Sequence, residues 1–116
     1  MKYISFVVPC FNSEKYMEKC IDSLLMCGDD VEIIIVNDGS TDKTAEIAKN
    51  YLKNNSNIKF IDKENGGHGS GINAGLKICE GLYFKCVDSD DWIDFDAYKK
   101  LIKACLLYTS DAARRS

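Results

Sequence analysis

The sequence predicts an α/β fold with a parallel sheet of four strands in the order 3-2-1-4 and helices on both faces. Strand-like and helix-like segments alternate along the chain as βαβαβαβα, and strands joined by helices pair in parallel through right-handed crossovers. The first two strand candidates are continuous apolar runs, which is typical of strands buried on both faces. Such a sheet has a topological switch between strands 1 and 4, where open α/β sheets bind ligands.

The individual elements follow from the spacing of apolar residues. Strands are predicted at four β-rich or apolar runs: 3–10, 31–36, 58–61 and 82–87. Helices are predicted where apolar residues recur at helical spacing: 17–25, 44–52, the segment that ends at 79, and 95–105. Asn12 or Ser13 is expected to cap the first helix and Ser40 or Thr41 the second, while Gly81 is expected to stop the third.

Composition predicts a single globular domain that does not bind nucleic acid. The chain has 116 residues, of which 46% are hydrophobic and 28% charged, as in ordinary soluble domains. Its net charge is −3 and its lysines are scattered, whereas a phosphate backbone is bound by clustered Lys and Arg. Residues 1–107 are predicted to form the domain and the polar residues 108–116 an irregular tail, either a frayed terminus or sequence foreign to the domain.

The cysteines and the apolar pattern predict where the protein acts. Six cysteines occur without a CxxC pair, most of them at apolar-periodic positions: Cys10, Cys20, Cys27, Cys79, Cys86 and Cys105. Buried reduced thiols of this kind are typical of cytosolic proteins. No stretch approaches the roughly 18 apolar residues of a membrane span, and the start of the chain lacks signal-peptide features. A cytoplasmic protein is expected, with a peripheral position at the inner face of the membrane as an option for a longer form.

Polar residues cluster where three of the predicted strands end. The first strand ends at 9–12, the second at 37–40 and the fourth at 88–91. Because the carboxyl ends of parallel strands share one edge of the sheet, these segments are expected to converge on a single cleft.

The acidic run after the fourth strand is the strongest candidate for a metal site. Asp88, Asp90 and Asp91 lie within four residues, and close carboxylates repel each other by about 1 kcal/mol or more per pair at intermediate dielectric. A divalent cation relieves that repulsion, and Mg²⁺ prefers one or two carboxylates together with phosphate oxygens. The alternative is a solvated turn that caps the fourth helix. The two other polar strand ends favour the metal site.

Three further segments are candidates for contact with a ligand: Asp38, the glycine-rich segment and Phe11. Asp38 can accept hydrogen bonds from a ribose hydroxyl or a base N–H, although Asp-Gly-Ser also favours a turn. The glycine-rich segment 65–71 either presents backbone N–H groups to a phosphate or is a flexible loop, and it matches no dinucleotide or Walker motif. His68 is interpreted as a loop residue near a phosphate. Phe11 either stacks on a base or packs internally. Trp92 is expected to lie as an anchor beneath the acidic run 88–91, called the aspartate loop below.

Four motifs, in this order and spacing, resemble glycosyltransferase family 2. They are V-V-P-C-F-N at 7–12, I-V-N-D-G-S-T-D at 35–42, N-G-G at 65–67 with N-A-G at 73–75, and V-D-S-D-D at 87–91. The resemblance covers residues 2 to about 105. It implies the Rossmann-like nucleotide-binding half of a GT-A fold, in an inverting glycosyltransferase that uses a nucleoside-diphosphate sugar, expected to be a UDP-sugar, with Mg²⁺ or Mn²⁺.

The resemblance also implies roles for single residues. The aromatic ring at Phe11 packs on the base, and Asp38 holds the base. Asp88 and Asp90 form the DxD element, which contacts the ribose and a metal on the diphosphate, with Asp91 as a second residue on that metal. The remaining residues of the expected nucleotide-sugar site are Pro9, Asn12, Gly66, Gly67, His68 and Ser89.

One element of the family pattern has no counterpart in this sequence. The family's general base, an Asp or Glu in a later segment, deprotonates the acceptor hydroxyl, and inverting transfer needs such a base. No catalytic residue is therefore predicted. The acceptor, a carbohydrate or a lipid-linked molecule, is expected to bind through a C-terminal part beyond these residues. The chain is expected to bind donor and metal but to transfer poorly by itself.

Two other functional classes share parts of this pattern. A sugar nucleotidyltransferase needs a glycine-rich loop with basic residues after the first strand, which 10–15 does not supply. A non-catalytic α/β domain of receiver type needs an Asp after the third strand, where Asp62 stands.

Overall fold

The computed structural model describes residues 3–104, the side chain of His68 excepted, and its sheet has the predicted order. Four strands form it: β1 (Ile4–Cys10), β2 (Val31–Asp38), β3 (Ile58–Lys63) and β4 (Tyr83–Cys86). All pairings are parallel, and the strand order is β3-β2-β1-β4. The predicted fold class is therefore confirmed. The predicted tail at 108–116 lies outside the described residues.

Helices cover both faces of the sheet. They are α1 (Met17–Leu25), α2 (Thr44–Asn54), α3 (His68–Ile78) and α4, which spans 95–104 up to the end of the described residues. Buried side chains of α1, α2 and α4, such as Ile21, Ala48 and Tyr98, belong to one core cluster. Ala74 of α3 packs against a second cluster on the opposite face.

The two central strands are buried along their whole length, as their apolar runs predict. Successive strand side chains point to opposite faces, so Phe6 faces the core under α1 whereas Val7 faces α3. Full burial of one such side chain stabilises the fold by about 1.5–3 kcal/mol. A Cβ on Gly75 would lie 2.5 Å from Cγ1 of Val7, so glycine at this position lets α3 pack closely on β1.

The predicted helix caps are wrong, because no side chain of the described residues caps α1 or α2. The residues predicted for this role were Asn12 or Ser13 at α1 and Ser40 or Thr41 at α2. Helix α1 begins without a side-chain cap, because Oδ1 of Asn12 accepts the N–H of Thr41 and Oγ of Ser13 bonds the Phe11 N–H and the Ser89 hydroxyl instead. At α2, Oδ1 of Asp42 accepts hydrogen bonds from the backbone N–H (2.9 Å) and the hydroxyl (2.6 Å) of Thr44. The same carboxylate reaches back to the β1–α1 loop, since its Oδ2 accepts the N–H of Glu14.

Gly81 does not end α3 as predicted. The helix stops at Ile78, with Cys79 already extended. Gly81 is needed for a different reason, because a Cβ there would lie 2.6 Å from the backbone nitrogen of Ser5. Its small size brings the start of β4 against β1, and its own N–H donates to the Ser5 hydroxyl.

The buried carboxylate of Glu32 links β2 to neighbouring parts of the sheet, at the end opposite the polar strand ends. Glu32 of β2 is 2% exposed. Its Oε1 accepts hydrogen bonds from the Ser5 hydroxyl and the Glu80 N–H, both at 2.9 Å, and its Oε2 lies 2.8 Å from Nζ of Lys59. Burial alone raises the pKa of Glu32, but the hydrogen bonds from Lys59, Glu80 and Ser5 outweigh it and hold that pKa below its ordinary value.

The cysteines within the described residues are free thiols. Cys10 and Cys20 are buried as predicted, whereas Cys27, Cys79 and Cys86 are half-buried. Burial raises the pKa of Cys10 and Cys20 to about 12, so both are protonated at neutral pH. Cys105 lies outside the described residues. Within 3–104, no helix has the length and apolar character needed to cross a membrane.

Candidate functional site

The polar strand ends meet in one cleft of about 420 Å³ at the carboxyl edge of the sheet. This is the topological switch between β1 and β4, and the volume falls within the range of small-molecule sites. The lining residues come from the ends of β1 and β2 and from the loops after the four strands: Pro9, Cys10, Phe11, Asn12, Ser13, Tyr16, Asp38, Asn65, Gly67, Asp88, Ser89 and Asp90. The expected convergence of the strand ends is therefore observed.

Three residues predicted for the site are placed differently. The backbone N–H of Gly66 points at Asp38, and Gly66 is not among the cleft-lining residues of the described chain. Asp91 lines a neighbouring depression that shares Asp88 with the cleft and also includes Lys85 and Trp92. His68 is the first residue of α3, so the helix begins inside the segment predicted as a glycine-rich loop.

The Asp38 carboxylate is held in the cleft by three hydrogen bonds. Asp38 is the last residue of β2 and is 5% exposed. Its Oδ1 accepts hydrogen bonds from Nζ of Lys63 and the N–H of Gly66, both at 2.8 Å, and its Oδ2 accepts the N–H of Gly67 at 3.0 Å. The bond from Lys63 outweighs burial and holds the pKa of Asp38 below its ordinary value. Asp38 is therefore ionised at neutral pH.

The turn that follows β2 depends on Asn37 and not on Asp38. Oδ1 of Asn37 accepts the N–H of Ser40 at 3.2 Å, while the Asp38 carboxylate turns toward the glycine-rich segment. The alternative of a turn made by the Asp38 side chain is therefore wrong, and its carboxylate is placed at the cleft.

Asn12 joins the loops after β1 and β2. Its backbone has a positive φ of 47°, a conformation that Asn tolerates better than most residues. Its N–H donates to the Ser40 hydroxyl at 2.9 Å, and its Oδ1 accepts the N–H of Thr41 at 2.8 Å. Asn12 thus lines the cleft while its side-chain oxygen holds the second loop.

Ser13 connects three loops and was not predicted as a site residue. It is 3% exposed. Its N–H donates to the Thr44 hydroxyl at 2.8 Å, its Oγ accepts the N–H of Phe11 at 3.1 Å, and its Oγ lies 2.7 Å from Oγ of Ser89. A hydroxyl three residues after the buried strand was the only sequence signal, and it equally fits a helix cap.

The aspartate loop forms a tight turn, in which the N–H of Asp91 donates to the backbone oxygen of Asp88. Asp88 and Asp90 line the cleft and are exposed. The alternative that this acidic run caps the fourth helix is wrong, because Oδ1 of Asp94 accepts the N–H of Ala97 at 2.6 Å near the start of α4.

The cleft fits a metal only if a ligand completes its coordination. Within the described residues, no group of three or more His, Cys, Asp or Glu side chains is arranged to hold a metal ion. Asp88 and Asp90 supply two carboxylates on one side of the cleft. Mg²⁺ commonly takes one or two carboxylates and completes its shell with waters and phosphate oxygens, so this pair suits a cation that arrives with a diphosphate.

Comparison with known proteins identifies the family. The family model for glycosyl transferase family 2 matches residues 5–112. The chain belongs to glycosyl transferase family 2. This confirms the resemblance drawn from the four motifs and sets aside the sugar nucleotidyltransferase and receiver alternatives.

Relatives of this family 2 chain are similar to it in sequence and in structure. The chain is 40% identical over 111 residues to glycosyltransferase GlyA of Streptococcus pneumoniae, and the match covers 95% of this chain and 16% of GlyA. The crystal structure of S. aureus TarS 1–349 superposes with a TM-score of 0.77 at 38% identity, covering 89% of this chain and 32% of that one. TarS has also been solved in complex with UDP, at 36% identity and a TM-score of 0.77, with 89% and 31% covered.

A more distant structure shares the fold alone. The mannosyltransferase PcManGT of Pyrobaculum calidifontis, in complex with GDP-Man and Mn²⁺, has a TM-score of 0.65 at 20% identity and covers 77% of this chain and 28% of that one. The match to TarS shows that the four-stranded sheet of the family 2 chain has the GT-A fold. The chain spans less than half the length of each of these relatives.

Two exposed aromatic residues of the family 2 chain have different surroundings. Phe11 is 52% exposed and lines the cleft, which favours the open ring over the internal packing considered as its alternative. Trp92 is 54% exposed and lies outside the cleft, with Nζ of Lys19 3.5 Å from its ring centroid. The prediction of a Trp92 anchor beneath the aspartate loop is therefore wrong.

Proposed function

We propose that this chain binds a nucleoside-diphosphate sugar, specifically a UDP-sugar, together with a divalent cation, as the donor-binding part of an inverting glycosyltransferase. One observation carries the proposal: Phe11, Asp38, Asp88 and Asp90 line the same cleft. An aromatic ring, an ionised acceptor and a pair of carboxylates are the groups that a base, a ribose and a metal-bound diphosphate require.

Each part of the cleft has a role in this proposal. Phe11 stacks on the base, and Asp38 accepts an N–H of the base. Asp88 accepts a ribose hydroxyl, and Asp90 faces the diphosphate. The remaining contacts are assigned to lining residues that flank these four: Pro9, Asn12, Gly67 and Ser89. Uridine is the proposed nucleoside because TarS, which is 36% identical to this chain, was solved with UDP.

Asp90, with Asp88 beside it, would hold Mg²⁺ or Mn²⁺. When bound, the cation offsets the negative charge of the departing nucleoside diphosphate. Asp91 remains a candidate second ligand by resemblance, but Asp90 is the stronger candidate because it lines the cleft, whereas Asp91 lines the neighbouring depression that shares Asp88. Gly66 contributes through the orientation of Asp38, and His68 stands where α3 opens near the cleft.

Transfer of the sugar to an acceptor needs groups that the described residues of the cleft do not supply. We assign no general base, since the proposal already uses the cleft carboxylates to bind the nucleoside and the metal. The acceptor is proposed to be a carbohydrate or a lipid-linked molecule of polysaccharide synthesis, bound by parts found in longer relatives such as GlyA. The cytoplasmic location predicted from the cysteines remains part of this proposal.

Calorimetric titration of the chain with UDP tests the donor site. We expect binding with MnCl₂ that weakens at least about tenfold when EDTA replaces the metal, because Asp90 would hold a cation that offsets the charge of the diphosphate. Uridine, which lacks the diphosphate, serves as the control and should show no metal dependence. A folded sample that binds UDP equally with Mn²⁺ and with EDTA, or not at all, would refute the proposed site.

A further inference from the structure

The two oxygens of the Asp38 carboxylate are not equivalent. Oδ1 accepts two hydrogen bonds, from Nζ of Lys63 and from the N–H of Gly66, both at 2.8 Å. Oδ2 accepts one, from the N–H of Gly67 at 3.0 Å. Each carboxylate oxygen offers about two acceptor positions. Oδ1 is therefore filled, while Oδ2 keeps one position for a ligand.

The open position lies on the cleft side. The cleft lining includes Asp38 and Gly67, whereas Lys63 and Gly66 are not among the described residues that line it. The donors on Oδ1 therefore belong to residues outside the cleft lining, whereas the donor on Oδ2 belongs to Gly67, which lines it, and this assigns Oδ2 to the cleft side.

The pairing of Lys63 with Asp38 is fixed by the sheet. Asp38 ends β2 and Lys63 ends β3, and the two residues are partners in the strand register. The space around the pair is closely packed, because a Cβ on Gly66 would lie 2.9 Å from Nζ of Lys63 and 2.7 Å from Oγ of Ser70. Lys63 is thus held at Oδ1 by its strand and by the glycine beside it.

We propose that Lys63 is a specificity-determining positioning residue, which makes the cleft select a uracil base over guanine by filling one oxygen of Asp38. Uracil has a single imide N–H between two carbonyl oxygens, and one open acceptor position satisfies it. Guanine presents two adjacent N–H donors, which pair best with both oxygens of a carboxylate. The Lys63 charge also offsets repulsion between the carboxylate and the uracil carbonyls. This inference rests on the proposed nucleotide site and deepens it.

The test compares UDP and GDP affinities in the presence of Mn²⁺, measured by calorimetry on the parent chain and on Lys63→Met. The variant frees a position on Oδ1, so we expect the ratio of UDP to GDP affinity to fall about tenfold, the scale of one hydrogen bond to a charged group. Lys63→Arg keeps a donor at Oδ1 and should retain the parent ratio. Lys53→Met, an exposed lysine at the end of α2, is the matched control for the charge change.

The outcomes separate this inference from the proposed function. If the folded parent binds neither UDP nor GDP, the nucleotide site itself is refuted. If the parent prefers UDP and Lys63→Met keeps that preference, or if Lys63→Arg loses it equally, the role of Lys63 is overturned while the site stands. Circular dichroism checks each variant, and Lys63→Leu, which also lacks a donor, replaces Lys63→Met in the same comparison if the methionine perturbs folding.

Discussion

Ser13→Ala tests whether the hydrogen bonds that join the loops after β1 and β4 are needed for ligand binding. Ser13 is almost fully buried, and its Oγ accepts the Phe11 N–H at 3.1 Å and bonds the Ser89 hydroxyl at 2.7 Å. Alanine removes only this oxygen. The Phe11 N–H then loses its acceptor in a partly buried hydrogen bond, which costs about 0.5–1.5 kcal/mol, whereas the Ser89 hydroxyl can turn toward water in the cleft. We expect a loss of about 1 kcal/mol in the free energy of unfolding.

The same substitution should weaken metal-dependent UDP binding, because it releases the aspartate loop from the β1 loop. The assay pairs urea denaturation with calorimetric titration of UDP and Mn²⁺, and we expect a loss in affinity of about tenfold, as for one lost hydrogen bond. Ser23→Ala is the matched control. The Ser23 hydroxyl donates to the Cys20 backbone oxygen and accepts the Ile93 N–H outside the cleft.

The control separates loss of stability from loss of loop geometry. Ser23→Ala should be destabilised to a similar extent as Ser13→Ala while binding UDP and Mn²⁺ like the parent chain. If Ser13→Ala keeps the parent affinity, or if Ser23→Ala loses as much, the proposed role of Ser13 is incorrect.

Three further predictions concern the core, the sheet edge and the metal site. Gly75→Ala should lower the free energy of unfolding by about 1–3 kcal/mol through overpacking against β1, whereas Gly69→Ala, in the same helix with open space, should be neutral or slightly stabilising in the same urea titration. Glu32→Gln should cost about 2 kcal/mol at pH 7, because the lost ion pair is partly screened. The pKa of Glu32 is lowered in the fold, so this stability is present above its unfolded pKa of about 4.3 and disappears as pH falls through the folded value; a gap between parent and variant that widens in acid would contradict this. Asp90→Ala should abolish the Mn²⁺-dependent part of UDP binding with the circular dichroism spectrum unchanged, and Asp91→Ala should retain it; equal UDP affinity in the Asp90 variant and the parent would exclude Asp90 as a metal ligand.

The fold could be predicted from the sequence because its main determinants are local and periodic. The apolar runs of β1 and β2 mark strands buried on both faces, and the helices between strands require parallel pairing. Once the strand order is set, the topology alone places Asp38, Asp88 and Asp90 at one edge of the sheet. Their convergence in the cleft therefore followed from the sequence with no knowledge of side-chain contacts.

The hydrogen-bond partners could not be predicted, because they depend on which loops meet in space. The N–H of Thr44 at the start of α2 bonds the carboxylate of Asp42 and not the hydroxyl of Ser40. The Asp42 carboxylate also accepts the N–H of Glu14 in the loop after β1, a contact between loops that the sequence does not reveal. Lys63 lies two residues beyond the predicted end of its strand, and only the observed register brings it to Asp38. Asp90 and Asp91 are adjacent in sequence, but the turn after β4 points them into different depressions.

Anomalous diffraction from crystals of this chain grown with UDP and MnCl₂ tests the central claim most directly. The account predicts one manganese peak between Asp90 and the diphosphate, with the uracil ring against Phe11 and its N–H on Oδ2 of Asp38. A manganese ion bound away from the Asp88–Asp90 side of the cleft, or a nucleotide whose base avoids Asp38, would contradict it.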